Sequence, residues 1–431
     1  MLTLLILISR YIFFGLAAGF LFFCALPVLA AKGYVKKTNT DKCGERQRMI
    51  TIVFHVLAFT ILALKHKDAQ AFTDMVFAGC GGLALLAASY RFFKAPFFNC
   101  AFFLFDVGFI MITRLNPRLG ERQLLNAIAG LACMAVFTFL YKYAGRVKKI
   151  CLVYMSAGAA LAALPFFIGA ARYGALNWII AGPFSFQPSE LVKLLFVLYL
   201  AEALPETKKT KELIAPSVYG AFLTGVLALQ RDLGGALILF VIFITMLYVK
   251  SGAAMHAACA AGAAVVGCAV AYYAYPALFN HVAVRVAAWT DPWRVIDSGG
   301  YQLAQSLFAV GTWGVLGSGL TRGYPNRIPV VEKDFIFPAI SEEFGVIFGV
   351  LLILIFVSMI YFGFTESARV KNNVALTTGL LCALAFQCFL SIGGNIRLIP
   401  HTGVTLPFVS YGGSSLVACM AMAALTGRGD P

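Results

Sequence analysis

Residues 330–362 read VVEKDFIFPAISEEFGVIFGVLLILIFVSMIYF, and this stretch contains the two features that decide the fold. Its apolar part, residues 336–362, is long enough to cross a bilayer, which takes about 20 apolar residues in a helix. Its polar start places Asp334 directly before that run, and a carboxylate at a membrane boundary is costly unless it has a function. The stretch therefore predicts a membrane helix with a functional acid at its entrance.

Composition extends this prediction to the whole chain. Of its 431 residues, 61% are hydrophobic and 12% are charged, whereas a soluble domain is roughly half apolar and about a quarter charged. Apolar runs of membrane-spanning length recur throughout, which favours an all-α, polytopic helical membrane protein over an apolar soluble enzyme. We predict about thirteen spans, near residues 3–31, 49–65, 71–91, 97–114, 123–143, 150–169, 187–204, 213–229, 233–249, 253–275, 336–362, 374–392 and 412–426.

The formal charge of the chain is +15, from 34 Lys and Arg against 19 Asp and Glu. In a membrane protein such an excess is typical of cytoplasmic loops and of contact with anionic lipid, and we expect no nucleic-acid partner. Basic residues within 32–48, 91–94, 142–149, 208–211, 250 and 369–371 lie at alternate turns. We therefore predict a bacterial cytoplasmic membrane protein with its N-terminus outside and its C-terminus in the cytoplasm. Arg114, Arg118 and Arg122 fall outside and break this pattern.

The predicted spans divide the chain unevenly. Residues 1–95 hold three simple apolar helices, which we interpret as an N-terminal appendage, and residues 96–431 hold the other ten spans as a core. The largest extramembrane segment, residues 276–335, is predicted to be an outer loop. Loops of this length are usually functional or disordered, and its scattered aromatic and apolar residues argue against disorder.

Side chains of this outer loop suit a phosphorylated ligand. Arg285, Arg294 and Arg327 can each hold phosphate oxygens through paired hydrogen bonds, and Gln302 and Lys333 add further donors. A merely solvated, charged loop is the alternative interpretation. The convergence of guanidiniums, amides and one acid at a membrane surface favours ligand binding.

Ionisable residues also occur within or beside the predicted spans. Glu190 and Lys193 are three residues apart on one helix and can neutralise each other. They either fix helix packing as a structural ion pair or line a wet cavity, and the sequence leaves both open. Asp232 heads another helix, where a carboxylate favours the positive helix end, and its predicted outer position is compatible with a cavity role as well.

The last predicted outer loop, residues 395–415, combines Pro and Gly with hydroxyl side chains at membrane depth. Such backbone persists there only where protein or water satisfies its polar groups, so we predict a re-entrant or broken segment. Ser410 is its predicted substrate contact, and the lone His401 is interpreted as structural.

Five motifs occur along the chain in a recognisable order. They are Gln187-Pro188-Ser189-Glu190 with Lys193, Asp232-Leu233-Gly234, Gly300-Tyr301-Gln302, Lys333-Asp334-Phe335-Ile336-Phe337 with Glu342-Glu343-Phe344-Gly345, and TGVTLPFVSYGGSS at 402–415. With them the chain resembles the FtsW/RodA/SpoVE family, the SEDS (shape, elongation, division and sporulation) proteins, over about residues 97–426. Arg231, Trp313 and Arg397 depart from the residues usual in that family, and the resemblance says nothing about residues 1–95.

The resemblance implies a peptidoglycan glycosyltransferase that polymerises lipid II on the outer face of the cytoplasmic membrane and releases undecaprenyl pyrophosphate. It also implies a class B penicillin-binding transpeptidase as partner, beside other membrane proteins of the division or elongation machinery. The family's essential loop acid corresponds to Asp334. Its intramembrane polar residues correspond to Glu190, Lys193 and Asp232.

The chemistry of such a substrate explains how one acid can suffice. A glycosidase protonates a poor leaving group and needs two carboxylates, whereas pyrophosphate leaves without a proton once cations hold it. Asp334 would then act as general base on the acceptor's 4-hydroxyl, which attacks the anomeric carbon with inversion. The groups expected to steady the pyrophosphate are Arg285, Arg294, Arg327 and Lys193. A divalent cation, Mg²⁺ or Mn²⁺, is a further candidate for that role, although the sequence offers no dedicated metal ligands.

Two other functions fit the same residues. A lipid II flippase would also use broken helices and intramembrane charges, but it needs polar groups across the whole membrane, and those recognised here cluster in the outer half. A non-catalytic scaffold of a cell-wall synthase complex is the third interpretation. It predicts that Asp334 can be replaced without loss of function.

Overall fold

The computed structural model describes residues 2–35, 39–65, 68–144, 149–172, 175–182, 184–206, 209–274, 276–370 and 374–426. Its helices are α1 (Leu2–Ala31), α2 (Thr40–Lys65), α3 (Ala69–Phe92), α4 (Pro96–Leu115), α5 (Pro117–Ala144), α6 (Ile150–Ala163), α7 (Pro165–Ile168), α8 (Pro188–Ala203), α9 (Thr210–Leu229), α10 (Leu233–Ser251), α11 (Ala254–Ala274), α12 (Pro276–Thr290), α13 (Tyr301–Thr312), α14 (Ile336–Phe344), α15 (Val346–Val370), α16 (Val374–Asn395) and α17 (Gly413–Thr426). Several residues used to predict orientation lie outside the described ranges, namely Lys36, Lys37, Arg146, Lys148, Lys208 and Lys371.

The predicted fold class, an all-α polytopic membrane protein, is confirmed. Within the described ranges, eleven helical segments are long and apolar enough to cross a membrane, namely α1–α5, α6 with α7, α9–α11, α15 and α16. The predicted spans at 187–204 and 412–426 are shorter helices, α8 and α17, of 16 and 14 residues. Both are largely buried by their neighbours, so protein rather than lipid surrounds them.

The predicted span 336–362 is wrong as a single helix. The chain breaks at Gly345, so that α14 and α15 are separate elements. Gly345 has a φ of +101°, and a Cβ there would lie 2.4 Å from the carbonyl oxygen of Val315. A side chain would be both strained and crowded at this point. Every residue of α14 is buried, so this short helix is an internal element that follows Asp334 directly.

A small antiparallel sheet precedes α8 and was not predicted. It consists of β1 (Ala170–Arg172), β2 (Ala175–Ala181) and β3 (Phe184–Phe186), in the order β1-β2-β3. Strands of three to seven residues are too short to show a clear alternation of apolar and polar residues. The predicted outer loop, residues 276–335, is also partly helical, because it contains α12 and α13.

Helix α4 is the central element of the bundle. Its residues from Phe97 to Thr113 are all buried, and it packs against α2, α3, α5, α14 and α15. Gly108 lets the backbone near Val409 approach closely, since a Cβ at Gly108 would lie 2.1 Å from the Val409 carbonyl oxygen. The loop before α17 therefore rests directly on the central helix, as predicted for a broken segment that protein satisfies.

Helices α1–α3 pack extensively on the rest of the chain. Helix α1 contacts α14 and α15, α2 contacts α4, and α3 contacts α4 and α5. His55 on α2 lies 2.5 Å from Asp106 Oδ1 on α4, and its Nε2 lies 2.9 Å from the Gly79 carbonyl oxygen on α3. This buried pair therefore connects α2, α3 and α4. The division of the chain into residues 1–95 and 96–431 stays a prediction.

Arg114, one of the exceptions to the predicted charge pattern, has a partner inside the protein. Its guanidinium lies 2.7 Å from Glu343 Oε1 and donates to the Gly323 carbonyl oxygen at 3.1 Å. Its position is therefore explained by an ion pair that joins α4 to α14.

Candidate functional site

A cavity of about 730 Å³ is enclosed by α5, the sheet, the start of α8, α10, α12 and the loops before α14 and α17. Its lining includes six of the ten predicted site residues, namely Glu190, Lys193, Asp232, Arg285, Lys333 and Asp334. These residues are spread over 145 positions of the sequence, from 190 to 334. The fold thus brings the predicted catalytic acid and the predicted intramembrane charges to one space.

The predicted contacts Arg294, Gln302 and Arg327 do not line this cavity. Arg294 is exposed, and the Gln302 amide donates to the Pro329 carbonyl oxygen at 2.7 Å. The guanidinium of Arg327 lies 5.2 Å from the centre of the Tyr324 ring. The structure therefore does not bring these three side chains to the acid, because sequence proximity in a long loop does not fix the direction in which each residue points.

Ser410 lies beneath the acid and supports its loop. The hydroxyl accepts a hydrogen bond from the Leu406 amide at 2.8 Å and donates to the Lys333 carbonyl oxygen. The next amide, of Tyr411, donates to the Glu332 carbonyl oxygen at 2.8 Å. Two consecutive residues of the last loop thus hold the two residues before Asp334.

Asp334 is partly buried and faces cations. Burial raises the pKa of its carboxyl to about 6, and Glu332 adds to this rise, while the positive charges of Lys333 and Arg285 oppose it. A carboxyl with this pKa is ionised at neutral pH and still basic enough to accept a proton. Burial and charge therefore give Asp334 the property expected of a general base.

Arg285 on α12 lies near the acid. Its Nη1 donates to the Thr402 carbonyl oxygen at 3.0 Å. A Cβ on Gly403, which has a φ of +74°, would lie 3.5 Å from Arg285 Nη2 and 3.8 Å from Asp334 Oδ2. The guanidinium and the carboxylate therefore both border the same small space beside the Gly403 backbone.

The backbone before Asp334 is strained. Val330 has a φ of +55°, a conformation that is unfavourable for a β-branched residue. Its carbonyl oxygen accepts a hydrogen bond from the Lys333 amide at 3.1 Å. Strain of this kind persists where the surroundings fix the conformation, and it concentrates at functional sites. The turn 330–333 therefore holds the acid in a defined place.

Asp232 is satisfied by four donors at one edge of the cavity. Its carboxylate accepts from the Gly235 amide at 2.9 Å, Ser189 Oγ at 2.9 Å, Asn177 Nδ2 at 3.0 Å and Gln187 Nε2 at 3.2 Å. The residue caps α10 and lines the cavity, so its position is compatible with both interpretations, and its role in binding stays a prediction. The amide of Asn177 on β2 carried no sequence signal, whereas Gln187 and Ser189 belong to a recognised motif.

Glu190 and Lys193 form the floor of the cavity. Lys193 Nζ lies 2.9 Å from Glu190 Oε2 and donates to Gln387 Oε1 at 2.7 Å. The Gln387 amide in turn donates to Thr405 Oγ1 and Ser415 Oγ, both at 3.3 Å. Lys193 is buried, with only 2% of its surface exposed. Through Gln387, the ion pair connects α8 with α16 and the last loop. It also forms one polar edge of the cavity.

Two more cations line the cavity, Arg122 and Arg231. In the sequence, Arg122 was only an exception to the charge pattern, and Arg231 was noted as a departure from the residue usual in the family. Lys333 Nζ lies 5.9 Å from the centre of the Trp178 ring on β2. The cavity thus contains cations from α5, the α9–α10 turn, α12 and the α14 entrance.

His401 lies behind the acid, with its ring 4.5 Å from that of Phe335. Burial, together with the positive charge of Arg285, lowers the pKa of His401 to about 3. The imidazole is therefore neutral at physiological pH. This position agrees with a structural role in packing the start of α14.

The acids of the cavity are not arranged as a metal site. In the described part of the chain, no three Asp, Glu, His or Cys residues are grouped closely enough to hold an ion. The carboxylate of Asp232 is occupied by four donors, and that of Glu190 by Lys193. This donor set does not fit a resident divalent cation, and the predicted Mg²⁺ or Mn²⁺ stays a prediction.

Comparison with known proteins gives consistent matches. The FTSW_RODA_SPOVE family model, described as cell cycle protein, matches residues 94–428. Peptidoglycan glycosyltransferase RodA of Mycobacterium tuberculosis is 32% identical over 359 residues, which covers 75% of this chain and 74% of that protein. Stage V sporulation protein E of Bacillus subtilis is 32% identical over 308 residues, covering 69% of this chain and 82% of that protein.

A similar chain occurs in a solved structure of a peptidoglycan synthase complex, described as structural coordination of polymerization and crosslinking. It matches with a TM-score of 0.64 and 26% identity, and it covers 77% of this chain and 95% of that chain. The similarity therefore extends over most of the fold as well as the motifs.

Proposed function

Because the chain belongs to the FtsW/RodA/SpoVE family, we propose that it is a peptidoglycan glycosyltransferase that polymerises lipid II. The observation that carries this proposal is the position of Asp334. Its carboxyl has a pKa of about 6 and lines a cavity together with the cations Arg285, Lys333, Arg122 and Arg231. One base beside several cations matches a reaction in which the acceptor must lose a proton and the leaving group is already anionic.

In the proposed mechanism, Asp334 accepts the proton of the acceptor's 4-hydroxyl as its oxygen bonds to the anomeric carbon of the donor. The bond from that carbon to the pyrophosphate breaks, with inversion, and the electron pair leaves on the phosphate oxygen. Arg285 borders the same space as the carboxylate, so it can stabilise the charge that develops on the leaving group. The proton then passes from Asp334 to solvent.

The cavity supports a revised set of pyrophosphate ligands. Arg285 and Lys333 keep the roles predicted for them as phosphate contacts. Arg122 and Arg231 line the cavity and replace Arg294 and Arg327 as candidates. Lys193 is engaged by Glu190 and Gln387, so we assign it to the polar floor rather than to the leaving group.

Arg285→Ala should lower kcat for lipid II polymerisation by about 10²-fold, the loss typical of one preorganised electrostatic contact. Arg294→Ala is the matched control, and it should stay within about twofold of wild type, as expected of an exposed residue away from the site. Initial rates with fluorescent lipid II would measure both variants. Equal losses in the two variants would show that the cavity does not hold the leaving group.

The rate should also depend on pH through Asp334. Its pKa is raised from 3.8 to about 6 in the folded protein, so the ionised form predominates only above that pH. We expect kcat/KM to be flat above pH 7 and to fall about tenfold per pH unit below 6, because this ratio reports the pKa of the free enzyme's base. A profile that stays flat down to pH 4.5, in protein whose fold is intact by circular dichroism, would contradict the assignment.

The orientation and partner of the protein are part of the same proposal. The chain is a multi-pass membrane protein by its apolar helices and its family. We propose that the cavity faces outward, with the N-terminus outside and the C-terminus in the cytoplasm, and that a class B penicillin-binding transpeptidase crosslinks the product. Support comes from the similar structure of a peptidoglycan synthase complex. Single-cysteine labelling of intact cells at the exposed positions Asp297 and Lys209 tests the orientation, and labelling at Lys209 but not at Asp297 would contradict it.

The direct test of the function is polymerisation by the purified chain. The full-length protein, alone and with a class B transpeptidase encoded in the same genome, would receive labelled lipid II, and gel electrophoresis would detect glycan strands. Polymer that lysozyme degrades is the expected result. Movement of lipid II across proteoliposome membranes without polymer would instead support the flippase interpretation.

A further inference from the structure

Helices α1 and α2 lie before residues 94–428, the part of the chain that the family model matches. The proposed reaction uses none of their residues. Nevertheless, α1 contacts α14, which begins two residues after Asp334. This contact connects the N-terminal helices to the catalytic segment.

The first contact is between α1 and the outer loop. Arg10 Nη1 donates to the Gly317 carbonyl oxygen at 3.3 Å. A Cβ on Gly319 would lie 2.9 Å from Ile6 Cγ2, so the loop backbone packs directly against α1. Gly317 and Gly319 have φ values of +72° and +92°, which shape this part of the loop.

The same loop holds the C-terminal end of α14. The amides of Ser318 and Gly319 donate to the carbonyl oxygens of Glu342 and Glu343, each at 2.9 Å. Carbonyl groups at a helix end have no partner within the helix and need one from elsewhere. The loop that α1 contacts is therefore the cap of α14.

The second contact is a cluster of buried aromatic rings. Phe13 on α1 lies 4.8 Å from Phe54 on α2 and 5.1 Å from Phe344 on α14, measured between ring centres. Phe54 lies 5.9 Å from both Phe344 and Phe348. All four rings are at most 2% exposed. Aromatic pairs at these distances stabilise a contact beyond the effect of their buried area.

We propose that α1 and α2 act as a brace that helps to position α14 and, through it, Asp334, with Phe13 as a positioning residue. This proposal rests on the proposed glycosyltransferase function. Helix α14 has only nine residues, too few to be stable alone, so tertiary contacts determine where it lies. The brace supplies contacts at its C-terminal end, while Ser410 and Tyr411 hold the turn at its start.

The test compares Phe13→Ala with Phe20→Ala. Phe20 is also on α1 and fully buried, but it stacks on Phe103 of α4 at 4.5 Å instead of contacting α14. In the full-length protein, Phe13→Ala should lower kcat by about 10- to 100-fold with KM for lipid II within twofold, because small misplacements of a reacting group have effects of this size. Phe13→Leu should recover most of the rate, and Phe20→Ala should keep it.

A second measurement does not depend on activity. Hydrogen exchange in nanodiscs should be faster over residues 317–345 in Phe13→Ala than in wild type or Phe20→Ala. Arg10→Met removes the hydrogen bond to Gly317 and the local contacts of the guanidinium with Tyr11 on the same helix. It should show a smaller increase in the same segment. This milder variant keeps the test decisive if Phe13→Ala does not fold.

Three results would overturn the brace. They are unchanged exchange over 317–345 in both the Arg10 and Phe13 variants, faster exchange with an unchanged kcat, and equal losses of kcat in Phe13→Ala and Phe20→Ala. If the wild-type protein forms no polymer, the proposed function fails, and the exchange measurement still decides whether α1 and α2 hold α14.

Discussion

Asp334→Asn should lower the rate of lipid II polymerisation by about 10²–10⁴-fold, the usual effect of removing a general base. The same change should leave the folded protein at least as stable at pH 7.5. The pKa of the carboxyl is higher in the folded state than its ordinary value of 3.8, so its ionised form destabilises the fold, and this penalty is fully present above pH 6. The neutral amide removes the penalty.

The measurement is a polymerisation assay together with the melting temperature of the same purified protein. Asp297→Asn is the matched control, because it makes the same chemical change at an exposed position of the same outer segment, and it should affect neither quantity. Wild-type polymerisation by Asp334→Asn would show that Asp334 is not the general base. Loss of activity accompanied by a much lower melting temperature would assign Asp334 a structural role instead.

His55→Phe should lower the free energy of unfolding by about 3–5 kcal/mol, because it leaves a buried carboxylate without its partner. Asp106 is 1% exposed and lies 2.5 Å from the imidazole. The double variant His55→Phe with Asp106→Leu should recover most of the loss, since apolar replacement of a whole buried pair is often neutral or stabilising.

Unfolding of the purified protein in mixed micelles would measure this double-mutant cycle. The exposed pair Lys209 and Glu212, 3.9 Å apart, offers the contrast, and Lys209→Ala should change the unfolding free energy by less than about 1 kcal/mol. If the losses from the two single variants simply add in the double variant, His55 and Asp106 are not coupled, and the link between α2 and α4 depends on packing alone.

The residues that could be recognised from the sequence are those whose placement follows from a single physical constraint. An ionisable side chain in an apolar run must face protein or water, and this rule identified Glu190, Lys193, Asp232 and Asp334, all of which line the cavity. The fold class followed in the same way from the length and number of apolar runs. The role of each residue in catalysis stays a prediction until variants are measured.

What could not be predicted depends on contacts between distant segments. Nothing in the sequence distinguishes Arg285, which points into the cavity, from Arg294 nine residues later, which is exposed. His55 and Asp106 each stand alone in separate helices, so their pairing appears only once α2 and α4 are packed together. Gly345 lies inside the predicted span 336–362, and only the close approach of Val315 shows why the helix must end there.

The break at Gly345 separates a short internal helix, α14, from a membrane-spanning helix, α15. Helix α15 crosses the membrane, and a spanning helix changes its tilt when bilayer thickness changes. Helix α14 lies on the other side of the break and is fastened to α1, the outer loop and α4. Helix α14 also packs against α15, so a change of tilt in α15 reaches the segment after Asp334 through side-chain packing rather than through one continuous helix.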